Sequence, residues 1–143
     1  MAANEVSVRW LDEMRFEAHT HPDQVNPLDA APEHGGQEAG TRPVDMLLVS
    51  LAGCTGMDVL SILKKKRQPL TGFEVQVSGT RADEHPRVFT DIHVLYVVEG
   101  DGVKPDAVER AIELSETKYC PIWAMLRDSV NITSRYEIRQ PQT

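Results

Sequence analysis

The segment PVDMLLVSLAGCTGMDVLSILKKKR, residues 43–67, decides the fold class of this chain. Thr41 and Pro43 mark a helix start, because threonine is a good N-cap and proline suits the first turn. The helix is expected to end near Arg67, before Pro69. Its apolar residues cover nearly the whole circumference, which predicts a helix enclosed by protein. One domain of 143 residues rarely encloses such a helix alone, so we expect a partner subunit to cover one side.

The same segment is nearly as long as a membrane span. It contains Asp58 together with glycines and serines, so we interpret it as a buried core helix and expect no membrane contact. The N-terminal sequence MAANEVSVRW lacks the basic and apolar regions of a signal peptide. These features predict a cytoplasmic protein.

The composition is that of an ordinary folded protein and excludes several classes. Hydrophobic residues make up 41% and charged residues 26% of the chain, which argues against disorder. The net charge of −7 argues against nucleic-acid binding, although residues 64–67 are all basic. Two cysteines are too few for a disulfide framework. The motifs of P-loop NTPases, Rossmann dehydrogenases, α/β-hydrolases and zinc proteases do not occur.

Short strands are predicted on both sides of the helix. Alternating residues predict a hairpin over 6–10 and 14–18, followed by a turn-rich loop over 21–42 with a short strand at 25–28. Further strands are expected at 73–80, 88–98 and 130–138, and further helices at 105–118 and 122–127. Because strands do not alternate strictly with helices, we expect an α+β fold built on antiparallel pairs, with residues 1–143 as a single domain.

A possible metal site is confined to His19, His21 and Asp23. Two imidazoles and a loop carboxylate do not make a closed site, and Pro22 ends any strand there. We therefore expect neither a metal nor a cofactor.

Cys54 lies in the middle of the central helix and is a candidate for chemistry. A free cysteine is usually a small buried hydrophobe. However, Gly53 and Gly56 flank it, and each glycine costs a helix about 1 kcal/mol, which is tolerated where another group approaches the backbone. Thr55 and Asp58 add polarity that a core filler does not need.

Cys120 directly precedes Pro121, where the next helix would start. The helix dipole and the N–H groups of the first turn would then favour the thiolate of Cys120. On this argument Cys120 is at least as activated as Cys54. The alternative is a kinked continuous helix that contains an ordinary buried thiol.

Two stretches of the sequence resemble the OsmC/Ohr family. GTRPVDMLL at 40–48, continued by LAGC at 51–54 and DV at 58–59, resembles the signature helix, and KYCPI at 118–122 resembles the second cysteine motif. The resemblance, closest to the broad OsmC-like branch, implies an intertwined homodimer with antiparallel sheets wrapped around long central helices. It also implies a thiol peroxidase that reduces organic hydroperoxides without metal or haem.

The family pattern gives the two cysteines different roles. Cys54 corresponds to the peroxidatic thiol, which becomes a sulfenic acid, and Cys120 corresponds to the resolving thiol, which condenses with it to a disulfide. An external dithiol then reduces that disulfide. These roles oppose the dipole argument for Cys120.

The family pattern also adds a carboxylate and an arginine that keep the thiolate reactive. Asp45 occupies the carboxylate position, where glutamate is usual. Cys54 follows nine residues later, roughly on the opposite helix face and about 13.5 Å along the axis, so contact with Asp45 should come from the partner subunit. Alternatively, Asp45 only complements the helix dipole. Arg15 is favoured as the arginine over Arg42.

A second function class remains open. The chain could be a non-catalytic dimer that binds a small apolar ligand or acts as a redox sensor. The aspartate at the carboxylate position, Asp45, supports this alternative.

Overall fold

Two three-stranded sheets and three α-helices are present in the computed structural model, which describes residues 3–142. The strands are β1 (Val6–Asp12), β2 (Arg15–Thr20), β3 (Gln24–Leu28), β4 (Gly72–Arg81), β5 (Phe89–Glu99) and β6 (Asn131–Arg139). The helices are α1 (Pro43–Lys65), α2 (Pro105–Leu114) and α3 (Pro121–Leu126). The predicted α+β class is confirmed, and each predicted element is present with ends shifted by a few residues. The described chain divides into two compact units, which meet inside α1 between Leu47 and Leu48.

The first unit contains an antiparallel meander in the order β1-β2-β3. The loop after β3 is organised by Asp29, which is only 2% exposed and accepts hydrogen bonds from the backbone N–H groups of Ala30, Gln37 and Ala39 at 2.8–3.0 Å. The bonds from Ala39 and Gln37 hold the pKa of Asp29 below its usual value. The long loop is therefore pinned at its start by a buried carboxylate.

The second unit contains the sheet β4-β5-β6 with β5 in the centre. β4 pairs antiparallel with β5, whereas β6 pairs parallel with it, so the expectation of antiparallel pairs is wrong for this strand. The reason is the connection through α2 and α3, which returns the chain to the same end of the sheet, as parallel pairing requires. β5 is the most buried strand, and Val94, Tyr96 and Val98 are each fully inaccessible.

Helix α1 is buried along one stripe. Leu51, Val59 and Leu63 are fully buried and are separated by multiples of four residues, which places them on one helix face. Val49 is 55% exposed and Met57 is 75% exposed. By length and composition α1 could cross a membrane, and 28% of its apolar window is buried. A single chain therefore does not enclose α1, in agreement with the prediction from the sequence. An apolar face of the helix remains uncovered.

Helix α2 changes geometry before the second cysteine. The sequence predicts a helix to Lys118, but the α-helix ends at Leu114 and a wider π turn covers Ser115–Tyr119. This turn closes with the N–H of Cys120 donating to the carbonyl of Ser115 at 2.9 Å. Pro121 explains why the helical geometry ends at Cys120, because a proline disfavours that geometry in the residue before it. Cys120 is accordingly extended, with φ −78° and ψ 108°.

Candidate active site

The second unit brings the two cysteines together. Cys54 is half-buried in α1, and Cys120 is only 3% exposed at the start of α3. Cys54 lies near enough to Cys120 to raise the pKa of that thiol, and both are free thiols. Two thiols from distant parts of the chain thus form a dithiol pair, with the more accessible member on α1.

Cys120 is the N-cap of α3, as the sequence predicts for a helix that starts at Pro121. Its sulfur accepts a hydrogen bond from the N–H of Trp123 at 3.4 Å, and this bond lowers the pKa of the thiol. Burial has the larger effect, and the neighbouring Cys54 adds to it, so the pKa of Cys120 rises to about 11. The expectation of an activated Cys120 thiolate is therefore wrong, because desolvation outweighs the short helix, and Cys120 is a protonated thiol near neutral pH.

A chain of polar side chains lies beside this pair. The hydroxyl of Thr55 is 2.8 Å from that of Tyr96 and 2.7 Å from that of Ser115, and all three residues are fully buried. The Tyr96 hydroxyl is 2.9 Å from Oε2 of Glu116, and the Ser115 hydroxyl is 3.0 Å from Oδ2 of Asp58. We call these five groups the hydroxyl chain, which runs from Glu116 through Tyr96, Thr55 and Ser115 to Asp58.

The hydroxyl chain connects the elements that carry the cysteines. Thr55 follows Cys54 in α1, and Glu116 lies in the π turn that leads to Cys120. Burial raises the pKa of Tyr96, and the neighbouring Glu116 raises it further. Burial also raises the pKa of Glu116.

Sequence reasoning found only part of the hydroxyl chain. It noted the polarity of Thr55 and Asp58 but missed Tyr96, Ser115 and Glu116. One signal was available, since Ser115 is a polar residue on the apolar face of the helix predicted over 105–118. The contact between residues 55, 96 and 115 depends on tertiary packing and carries no local pattern.

The two glycines beside Cys54 differ in their surroundings. A Cβ at Gly56 would lie 3.1 Å from Cγ2 of Val75, so the predicted close approach of another element is confirmed there, with β4 as that element. A Cβ at Gly53 would meet nothing within 4 Å. Gly53 instead lines an apolar groove of about 410 Å³ that includes Val49 and Met57.

The remaining predicted site residues lie in the first unit. Arg15 binds both carboxylate oxygens of Asp12, at 2.6 and 3.0 Å, and Arg42 lies 3.8 Å from Glu38. Asp45 is exposed in the first turn of α1. Their predicted roles beside Cys54 remain predictions.

The histidine cluster shows no metal-binding arrangement. Nε2 of His19 is 3.2 Å from Oε2 of Glu17. Among residues 3–142, no three His, Cys, Asp or Glu side chains converge as metal ligands.

The second unit of this α+β chain thus places a half-buried thiol and a buried thiol near each other. Residues 35–135 match the OsmC-like protein family, and the chain belongs to this family. Protein YhfA of Escherichia coli (strain K12) is 37% identical over 131 residues, which cover 92% of this chain and 95% of YhfA.

Solved structures share the fold. A hypothetical protein from Aquifex aeolicus VF5 has a TM-score of 0.86 at 32% identity, with 99% of this chain and 100% of that chain covered. The organic hydroperoxide resistance protein OhrB of Bacillus subtilis has a TM-score of 0.63 at 18% identity, with 95% and 98% covered, and shows the fold alone. Family membership suggests a redox or peroxide-related role.

Proposed function

We propose that this protein is a thiol peroxidase that reduces organic hydroperoxides to alcohols, with Cys54 as the attacking thiol and Cys120 as the resolving thiol. The observation that carries the proposal is that a half-buried Cys54 lies near a buried Cys120 whose pKa is raised. Because the thiolate is the nucleophile, the more accessible thiol is the one suited to meet a peroxide. The name of the OhrB relative supports the substrate class.

The first step oxidises Cys54. Its thiolate attacks the terminal peroxide oxygen, so that an S–O bond forms and the O–O bond breaks. The leaving alkoxide takes up one proton and becomes the alcohol, and Cys54 is left as a sulfenic acid.

The second step closes a disulfide. Cys120 attacks the sulfenic sulfur, and its proton leaves with the hydroxide as water. An external dithiol then reduces the Cys54–Cys120 disulfide and is itself oxidised to a disulfide. No metal or cofactor takes part in this scheme. A reductant of this kind is available in the cytoplasm, where we place the protein.

Thiol stoichiometry tests the proposal. Reduced protein mixed with cumene hydroperoxide, without added reductant, is expected to lose both thiols of each chain for every peroxide consumed. Free thiols are counted with a chromogenic disulfide, and the alcohol is measured chromatographically. Protein alkylated beforehand is the control and should leave the peroxide intact. Persistence of both thiols beside unchanged peroxide would contradict the enzyme and favour the ligand-binding alternative.

We further propose that a second copy of the chain covers the exposed face of α1. This face carries the large apolar side chains Val49 and Met57 and the open position at Gly53, beside the apolar groove. Exposed apolar area of this kind is typical of an interface. The partner would supply Asp45, with Arg15 or Arg42, to hold the Cys54 thiolate in its reactive state.

Two valine variants test the dimer. Val49 and Val88 are equally exposed, at 55% each, but only Val49 lies on the uncovered face of α1. Val88→Glu is the control for Val49→Glu. We expect the native protein and Val88→Glu to have twice the chain mass by light scattering. Val49→Glu should dissociate, because it would bury an unpaired charge. A monomeric native protein, or a dimer unaffected by Val49→Glu, would contradict the proposal.

A further inference from the structure

The hydroxyl chain links the turn before Cys120 to the helix that carries Cys54. The hydroxyl of Ser115 is 2.7 Å from that of Thr55, which follows Cys54 in α1. The carbonyl of Ser115 accepts a hydrogen bond from the N–H of Cys120 at 2.9 Å. Ser115 therefore contacts Cys120 through its backbone and α1 through its buried side chain, so the placement of Cys120 on α1 depends on the bonds of the hydroxyl chain.

The hydroxyl chain has more contacts than its hydroxyl groups have hydrogens. Four oxygen–oxygen contacts join its five groups, at 2.9, 2.8, 2.7 and 3.0 Å from Glu116 to Asp58. Each of these distances is normal for an O–H···O hydrogen bond, which needs one hydrogen between its oxygens. Tyr96, Thr55 and Ser115 have one hydroxyl hydrogen each. Three hydrogens cannot complete four bonds.

The deficit falls on Thr55 when both carboxyl groups are ionised. Tyr96 then donates to Glu116 and Ser115 donates to Asp58, so neither can donate to Thr55. Thr55 can donate to only one of them, and the other pair of oxygens faces each other without a hydrogen. Such a pair is repulsive in a fully buried position, so one contact of Thr55 would open. A fourth hydrogen on one carboxyl group completes the chain.

Glu116 is the better holder of this hydrogen. It is half-buried, and burial raises its pKa more than Ser134 of β6 and Tyr96 of β5 together lower it. Asp58 of α1 lies at the other end of the chain, and among residues 3–142 neither carboxyl group forms an ion pair that would favour its charge. With the hydrogen on Glu116, every bond is directed from Glu116 towards the carboxylate of Asp58.

We propose that the hydroxyl chain is a clamp that closes only while Glu116 holds a proton, and that the closed clamp fixes the π turn and Cys120 on α1. Ionisation of Glu116 at higher pH removes the fourth hydrogen and opens one contact of Thr55. The clamp needs this proton whether the thiols are reduced or oxidised, because no thiol belongs to the chain. Glu116 is a positioning residue for Cys120, and this role does not depend on the peroxide chemistry proposed above.

NMR of the full-length protein, labelled with ¹³C at the glutamate carboxyl carbons, tests the inference. We expect Glu116 to change its carboxyl shift at a higher pH than the exposed glutamates, and Glu116→Gln identifies its signal. The amide signals of Ser115 and Cys120 should change with the same midpoint, because the clamp opens there. Titration of Glu116 together with the exposed glutamates, or amide signals that do not respond at its midpoint, would overturn the inference.

Glu116→Gln also tests the clamp directly. Its amide donates a hydrogen to Tyr96 at every pH, as a protonated carboxyl group does. The amide signals of Ser115 and Cys120 should therefore keep their closed positions through the midpoint of the native protein. Glu109→Gln is the matched control, because Glu109 accepts a hydrogen bond from Tyr136 outside the clamp, and it should respond as the native protein does. Equal responses in the two variants would overturn the inference.

Thr55→Val separates the hydrogen count from the effect of burial. Valine has nearly the shape of threonine but no hydroxyl, so the two ends of the chain are disconnected and both carboxyl groups can accept a hydrogen bond while ionised. The midpoint of Glu116 should therefore fall in this variant without any change of charge. Burial alone would leave the midpoint unchanged or raise it, and such a result in folded Thr55→Val would overturn the inference.

A surface variant and a second core variant complete this comparison. Thr133→Val is the matched control, because Thr133 contacts His93 at 2.8 Å outside the hydroxyl chain and should leave the midpoint of Glu116 unchanged. Ser115→Ala serves if Thr55→Val does not fold. It leaves two contacts and two hydroxyl hydrogens in the part of the chain that contains Glu116, so the midpoint should fall again. A native midpoint in folded Ser115→Ala would overturn the inference.

A variant without thiols keeps this inference separate from the proposed function. In the double variant Cys54→Ser and Cys120→Ser the hydroxyl chain is unchanged, so Glu116 should keep its raised midpoint. A midpoint that falls to that of the exposed glutamates would overturn the inference, because the proton would then depend on the thiols. The titration uses neither peroxide nor thiol chemistry, so the clamp and the peroxidase can fail independently.

Discussion

Cys54→Ser is expected to lower the rate of organic hydroperoxide reduction roughly 10⁴- to 10⁶-fold, the range found when an essential nucleophile is removed. The serine hydroxyl is not a thiolate and cannot form a sulfenic acid, whereas the neighbouring Cys120 is buried and protonated. Peroxide disappearance with an excess of dithiol reductant is the measurement. Residual activity within tenfold of the native rate would contradict the assignment of Cys54.

Cys120→Ser is the matched variant because it removes the other thiol. We expect it to consume one peroxide per chain in a rapid burst and then to stop or slow, since the sulfenic acid on Cys54 has no resolving partner. A dimedone adduct on Cys54, detected by mass spectrometry, would identify that sulfenic acid. The reverse pattern, with an active Cys54→Ser and an inert Cys120→Ser, would restore Cys120 as the attacking thiol.

The sequence was sufficient to predict the elements and the family but not the chemistry of the second thiol. The break before Pro121 and the helix start at Cys120 follow from local rules for proline. The charge state of Cys120 does not, because it depends on burial by residues distant in sequence. A helix dipole estimated from sequence omits desolvation, and here desolvation is the larger effect.

The hydroxyl chain shows the same limit. Ser115 continues the apolar face of α2 into the π turn and Tyr96 lies in an apolar strand, so each is individually typical of a core position. Their contact with Thr55 needs α1, β5 and the π turn to converge. The π turn in particular has no clear sequence signature, and it carries Glu116, the carboxyl group that sequence reasoning missed.

The uncovered face of α1 could be predicted in part. An apolar pattern around the whole helix indicated that both of its faces are apolar, and the structure buries the stripe through Leu51, Val59 and Leu63 with the chain's own residues. The sequence could not show which apolar side chains the chain itself buries, because the side chains on both faces of α1 are of the same apolar types.

The reduced protein is expected to lose stability as the pH rises above about 8.5, the ordinary pKa of a cysteine in an unfolded chain. Burial raises the pKa of folded Cys120 to about 11, so the folded chain retains a proton that the unfolded chain releases. The resulting stabilisation is complete at a pH below the pKa of Cys120 in the unfolded chain. It is lost as the pH rises from there through the pKa of Cys120 in the folded chain. The expected slope is about 1.4 kcal/mol per pH unit within this window.

Urea unfolding of reduced protein at several values between pH 7 and 10 measures this slope. Cys120→Ser is expected to remove it, because serine does not titrate but can still accept the hydrogen bond from the N–H of Trp123. Cys54→Ser should keep most of it, since burial is the larger cause of the shift. Tyr96, whose pKa is also raised, adds an alkaline loss only at higher pH, so both variants should share that loss. Equal slopes in native protein and Cys120→Ser would show that Cys120 is not the titrating group and would remove the basis for its role as the protonated, resolving thiol.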